Sequence, residues 1–307
     1  MVLLNFRKPV RPERYQHPLD TLLENYSIEV MPRTADKIRD FRNVLPRGTR
    51  VYIAHIEGTT IEDMVATAGR IAAQGLTVMP HFPARIIPTV KVLEEWIDRY
   101  QSAANITEAL LIAGGVSKPR GDFEDSMQLM QSGLFQRAGF RRLHVAGHPE
   151  GNRDIDLKGS YRATNSALKF KQDFAKINNI SMAIVTQFAF DAQPIIDWST
   201  FLQSEGISLP IHVGVAGPAK LQTLIKFAIA CGVGNSLNVL QKRARDVSKL
   251  LTPLQPTDLL NDLARYRSQH PASKIENIHF FPLGGIAAAS EWVASHAGAA
   301  AHPVCAV

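Results

Sequence analysis

Short apolar runs alternate with longer amphipathic stretches along most of the chain. Eight runs have the length and the bounding turn residues of strands: Ser27–Met31, Val51–His55, Leu76–Pro80, Glu108–Ala113, Arg142–Ala146, Met182–Gln187, Pro210–Gly214 and Ile278–Phe281. ALLIA at 109–113 and MAIV at 182–185 are apolar throughout, as parallel strands covered on both faces should be. Helical periodicity fills the intervals. The clearest case starts at Thr59, where TTIE reads as a capping box between the Thr59 hydroxyl and Glu62. Ile61, Met64, Val65, Ala68, Ile71 and Ala72 then keep one face apolar, and Gly75 ends the helix. A second helix is expected from Pro218, with Leu221, Leu224, Ile225 and Ala228 as its stripe and Gly232 as its stop. Strand–helix alternation over about 270 residues predicts a (β/α)8 TIM barrel in a single catalytic domain. It is flanked by an extended lead-in over 1–25 and a loose tail over 297–307. The competing architecture is an open doubly wound sheet, weakened because no GxGxxG follows the first strand.

Composition narrows the function classes. The 307 residues are 45% hydrophobic, yet no uninterrupted apolar run is long enough to span a membrane, and the N-terminus lacks the h-region of a signal peptide. Cys231 and Cys305 are far apart and form neither a disulfide framework nor a CxxC metal pair, which fits the cytoplasm. The net charge of +6 is spread over the chain without a basic cluster, so no nucleic-acid partner is expected. A mild positive field suits an anionic small molecule instead. A homo-oligomer is compatible with these features.

A parallel barrel carries its chemistry at the carboxyl ends of its strands. There the sequence places Glu29, His55, His81, Gly114-Gly115, Gly147-His148-Pro149-Glu150, Thr186-Gln187, Gly214 and Gly284-Gly285. Glu29 stands out, because a carboxylate within an apolar strand is costly unless it is paired or used; Arg33 is an alternative partner. His55, His81 and His148 come from separate strands without HxH or HExxH spacing, so no metal site is expected and each also reads as a hydrogen-bonded wall residue.

These residues resemble a family. IEVMPRT at 28–34 is similar to the FEFFPPRT that opens the barrel of methylenetetrahydrofolate reductases. VMPHF resembles their APHLT, VAGHPEGN their VAGYPKGHP, VTQFAFD their ITQFFFD, and IHFFPL their HFYTLN. The matches occur in the family's order across about residues 25–295. The resemblance implies a barrel that passes hydride from NAD(P)H, through FAD, to 5,10-methylenetetrahydrofolate. It implies Glu29 as general acid and Gln187 as a folate contact, with Gly285 at a further substrate position. It places His55, His81, Ala113, Gly114, Gly115, His148, Asn152 and Lys176 at cofactor positions, Lys176 by counting eleven residues back from Gln187.

The chain departs from the family's pattern at several of these. LRGD becomes IAGG, so Ala113 and Gly115 stand for Arg and Asp. Ala54 replaces a Thr, His148 and Asn152 replace Tyr and His, and Gly285 replaces an Arg. An RGD triplet at 120–122 puts Asp122 either at the site or on the surface. Three further expectations therefore stand beside the flavoprotein: a flavin-free reductase, a non-redox methyltetrahydrofolate-binding module, and an unrelated barrel enzyme such as an aldolase or a metal-dependent hydrolase.

Overall fold

A computed structural model describes residues 17–152, 154–156, 160–231, 239–241 and 252–297. Its strands are β1 (Ser27–Val30), β2 (Arg50–Ile53), β3 (Thr77–Pro83), β4 (Glu108–Ile112), β5 (Arg142–Gly147), β6 (Ile184–Ala189), β7 (Ile211–Ala216) and β8 (Ile275–Phe281). Each pairs in parallel with the next, and β8 returns to β1 through Ser27↔His279 and Ile28↔Phe280. The result is the expected closed (β/α)8 barrel. Every expected strand is present with shifted ends; β3 runs on through His81, and β8 starts three residues earlier than its apolar run.

The helices are α1 (Pro18–Leu23), α2 (Pro32–Ala35), α3 (Ile61–Ala73), α4 (Val90–Ala104), α5 (Ser126–Gln131), α6 (Leu134–Arg137), α7 (Arg162–Ile177), α8 (Ala192–Ser204), α9 (Leu221–Ala230), α10 (Thr257–Gln269) and α11 (Ile286–His296). Three local readings are corrected. Residues 18–23 of the expected lead-in are helical, with Leu19, Leu22 and Leu23 buried, and α1 packs on α10 and β8. The cap of α3 is Thr60, whose hydroxyl accepts from Asp63 N–H at 3.1 Å, while Glu62 pairs with Arg99 on α4. The helix expected from Pro218 begins at Leu221, because Ala219 is held in an antiparallel bridge to Leu254. Gly75 does follow the end of α3, at φ +82°. Gly232, residues 1–16 and residues 298–307 lie outside the described residues.

Strand residues divide by parity. Ile28, Val51, Ile53, Val78, Leu111, Val145, Val213 and Phe280 face outward into the main core under the helices. Inside the barrel, Tyr52, Met79, Leu110 and Val185 form a separate apolar plug. The other inward positions are strongly polar: Glu29, His81, His144, His212 and His279. At the amino ends of the strands Glu108 accepts from Arg50 Nε at 2.7 Å and from Arg142 Nε at 3.2 Å, an ion-pair floor beneath the plug.

Candidate functional site at the carboxyl end of the barrel

Glu29 is the third residue of β1 and its side chain is 20% exposed. Its Oε2 lies 3.4 Å from Nε2 of His81 on β3 and 3.8 Å from Nε2 of His279 on β8. His279 is oriented by Ser27, whose hydroxyl meets Nδ1 at 2.9 Å. Burial pushes the Glu29 carboxyl above the ordinary carboxylate range, with His81 opposing. Burial also pushes His81 down to about 4 and His279 to about 3. Both imidazoles are therefore neutral near pH 7, and neither supplies the cation that would hold Glu29 ionised. A carboxyl whose burial favours its protonated form is suited to general-acid work.

Gln187 enters from β6. The pairing of β6 with β7 shifts register between Val185 and Phe188, and Gly214 permits it: a Cβ there would lie 2.3 Å from the Thr186 carbonyl oxygen. The Gln187 amide donates to the Cys231 carbonyl at 3.4 Å. Cys231 is within electrostatic reach of Glu29, so Gln187, Cys231 and Glu29 border one mouth.

The remaining expected residues separate. Gly285 follows β8 as the N-cap of α11, at φ +113° with open space around it. Gly114 has φ +98° and sits against Pro83, while Gly115 faces open space; Ala113 contributes a carbonyl that accepts from Arg85 N–H. His55 stacks on Trp96 with ring centroids 4.9 Å apart, and its Nε2 bonds the Thr59 carbonyl, which makes it a wall residue. Asn152 turns its side-chain oxygen back to Asp154 N–H within its own loop. Asp122 is exposed, its N–H on the Pro88 carbonyl, as the surface reading expected.

Lys176 lies in the exposed last turn of α7. A helix that follows β5 runs away from the mouth, so its last turn reaches the opposite face of the barrel. The buried lysine of this helix is Lys171, 8% exposed and held down to about 8 by burial, with Asp125 opposing. It is within electrostatic reach of His148, which burial and Lys171 together push down to about 4. No described residue forms a hydrogen bond or ion pair with Lys171. Sequence reading missed it because counting back from Gln187 ignores helix phase: 171 shares the inner face of α7 with Leu168, Gln172 and Ala175, and 176 does not. It also missed Tyr52, His144, His212 and His279, although period-2 alternation from Glu29 outward marks such inward positions.

Among the described residues no group of three or more His, Cys, Asp or Glu is arranged to hold a metal ion. None of the described helices is long and apolar enough to cross a membrane. A surface groove of about 750 Å³ between Arg42, Gln74 and Glu291 contains none of the mouth residues.

No protein-family model matches the chain. Among solved structures it is similar to an uncharacterized protein from Clostridium thermocellum that binds two copies of 5-methyl-5,6,7,8-tetrahydrofolic acid. That match has a TM-score of 0.53 and 12% identity, and covers 91% of this chain and 98% of that one. At this identity the likeness bears on the fold. A 2,3-dimethylmalate lyase of the PEP mutase/isocitrate lyase superfamily aligns with a TM-score of 0.43 and 8% identity over 90% of this chain and 80% of that one.

Proposed function

We propose that the chain is a folate-dependent oxidoreductase that interconverts 5,10-methylenetetrahydrofolate and 5-methyltetrahydrofolate with NAD(P)H. The observation that carries this reading is Glu29, a strand-end carboxyl with a raised pKa between two neutral histidines. In the reducing direction the C–N10 bond of the imidazolidine ring breaks and the Glu29 proton passes to N10. Hydride from NAD(P)H reaches the methylene carbon, leaving a methyl group on N5 and NAD(P)+. Two electrons and one proton are consumed. The order of motifs and the folate bound by the similarly folded Clostridium thermocellum protein support the substrate class.

Lys171, His148 and the open Gly115 fit the pyrophosphate of a dinucleotide: a buried cation with no described carboxylate bonded to it, and backbone that a phosphate can approach. FAD, which would accept hydride and pass it on, and NAD(P)H itself share that chemistry. His55, Asn152 and Lys176 do not join this group. We place the hydride donor here without assigning a step to flavin. A purified preparation that is yellow, with flavin absorption, assigns FAD; a colourless active one assigns direct transfer.

A second reading has its own observation. The fourth strand is followed by Ala113-Gly114-Gly115, which offer no polar side chain to a reacting flavin or folate. A non-redox methyltetrahydrofolate-binding protein would have this mouth. The deciding experiment measures 5-methyltetrahydrofolate oxidation with an electron acceptor, together with folate binding, in wild type and Glu29→Gln. Turnover lost in Glu29→Gln supports the reductase. Folate binding without turnover in wild type supports the binding protein.

A further inference from the structure

The inside of the barrel holds more titratable groups than a general acid requires. Tyr52 reaches across from β2, and its hydroxyl lies 2.5 Å from Nδ1 of His144 on β5. The His144 ring meets His212 of β7 edge to face, centroids 4.9 Å apart. On the far side, His212 Nε2 lies 3.1 Å from Glu276 Oε2, and Glu276 is 57% exposed at the amino end of β8. Arg142 and Arg267 are within electrostatic reach of Glu276, and Arg50 and Arg142 of His144. Toward the mouth, the His279 ring packs 4.4 Å from Tyr52, centroid to centroid.

The unpartnered atoms are ordered along this line. His144 Nε2 and His212 Nδ1 are buried without hydrogen-bond partners, and they belong to the two rings that meet. His279 Nε2 and His81 Nε2 are also buried without partners, and both lie near the Glu29 carboxylate. Barrel interiors of this size are ordinarily filled by branched apolar residues. Unbonded buried imidazoles cost stability that Leu or Val would not.

We propose that Glu276, His212, His144 and Tyr52 form a proton path joining Glu29 at the mouth to solvent at the opposite face of the barrel. The proposal rests on the reading of Glu29 as general acid. Folate seated over the mouth would separate Glu29 from bulk water on that side, and the path resupplies it from behind. Solvent protonates the Glu276 carboxylate, and His212, in the tautomer that carries its hydrogen on Nδ1, takes that proton at Nε2 and releases one from Nδ1. His212 Nδ1 and His144 Nε2 are not hydrogen-bonded to each other, so a bridging water carries that proton to His144 Nε2. His144 releases one from Nδ1 to the tyrosine oxygen, which gives up its own hydroxyl proton. One water beside His279 Nε2 carries this proton to the Glu29 carboxylate. One proton enters at Glu276, which ends as the carboxylate, and one is added to Glu29. Tyr52 and the two imidazoles end neutral, the imidazoles in the opposite tautomer, which rotation of the rings resets.

The test uses the full chain turning over 5-methyltetrahydrofolate and its methylene form, with Tyr52→Phe, Glu276→Gln and Glu29→Gln. The path predicts that Tyr52→Phe lowers kcat by roughly tenfold or more with KM little changed, and raises the solvent deuterium isotope effect. Added imidazole restores part of the rate. A folded Tyr52→Phe protein with wild-type kcat and isotope effect overturns the path, and so does a joint change in kcat and KM with the isotope effect unmoved. Should Tyr52→Phe not fold, the exposed Glu276→Gln carries the test: a slowed proton-dependent step supports the path, and an unchanged one overturns it. Full turnover in Glu29→Gln overturns the acid reading itself. Loss of turnover in Glu29→Gln beside a normal Tyr52→Phe overturns the path alone.

Discussion

Glu29 Oε2 faces His81 Nε2 at 3.4 Å, and burial moves the two groups in opposite senses: the carboxyl rises and the imidazole falls to about 4. Both shifts disfavour the ionic form of the pair. For the reductive reaction this predicts a rate that is flat at low pH and falls as pH rises through the elevated Glu29 pKa. Glu29→Gln, which keeps the shape and loses the proton, should cost about 10²–10⁴-fold in kcat. Initial rates across pH in wild type and variant check both expectations. A rate that rises with pH over that interval would mean that Glu29 acts as a base.

The same burial has a consequence for stability. His81 and His279 have folded-state values near 4 and 3, below the ordinary histidine value of 6.5. In this case the unfolded chain binds protons first. The contribution is fully present above about pH 6.5 and is lost as pH falls toward the folded values. Between pH 6.5 and 5 each histidine removes about 2 kcal/mol by linkage, an order-of-magnitude figure. Glu29 runs the other way, since its raised value favours the fold at low pH and loses that contribution as pH rises. Urea unfolding at pH 7.5 and pH 5 should show a clear loss at pH 5, smaller in His279→Phe. Equal stability at both values would mean that the histidines are not held neutral.

The floor of the barrel gives a separate expectation. Glu108 accepts from both Arg50 and Arg142, and all three side chains are largely or partly buried. Replacing Glu108 with Gln removes the carboxylate bonded to both guanidinium groups and leaves them only the more distant Glu276. The loss should be about 1–3 kcal/mol, reduced from the fully buried case because solvent reaches the pair. Denaturant midpoints measure it. Folate affinity should be little changed, because the floor lies at the opposite end of the barrel from Glu29.

These sites differ in how far the sequence exposes them. The barrel was legible because its strands are apolar runs broken by turn residues, and all eight recur as paired strands. Glu29 was legible because a lone carboxylate in SIEV is anomalous on chemical grounds alone. The errors came where geometry decides between near neighbours. Thr59 and Thr60 are equivalent to a capping pattern, and only backbone angles choose the second. Lys171 and Lys176 are both lysines of one helix, and only its phase against the barrel buries the first. His144, His212 and His279 look unremarkable in separate strands; barrel closure is what sets their rings together.

Gly214 links the fold to Gln187. Its Cβ would meet the Thr186 and Gln187 carbonyls, which are backbone and cannot swing aside. Gly214→Ala should therefore displace the β6 irregularity, at about 1–3 kcal/mol of overpacking. Because that irregularity aims Gln187 into the mouth, folate affinity should fall with it. Calorimetric binding and thermal unfolding on the same variant separate the two effects. Unchanged binding in a destabilised protein would remove Gln187 from the folate site.

Lys171 should trade stability against binding. Its folded value of about 8 lies below the ordinary lysine value of 10.5, so at pH 7 the fold must carry a buried ammonium that the unfolded chain holds in water. Stability tied to this group is present above the unfolded value and lost as pH falls through 8, which makes Lys171 a net cost of roughly 3 kcal/mol near neutrality. Lys171→Met keeps the length of the stem and removes the charge. The free protein should melt at a higher temperature and lose less stability between pH 10 and pH 7. If Lys171 holds a dinucleotide pyrophosphate, the same variant should bind NAD(P)H or FAD about tenfold or more weakly, the range for losing a charge-assisted hydrogen bond. Both changes together mark a cation kept for its ligand. A variant that is destabilised instead would show that Lys171 is already paired within the protein, and the dinucleotide site would have to lie elsewhere at the mouth.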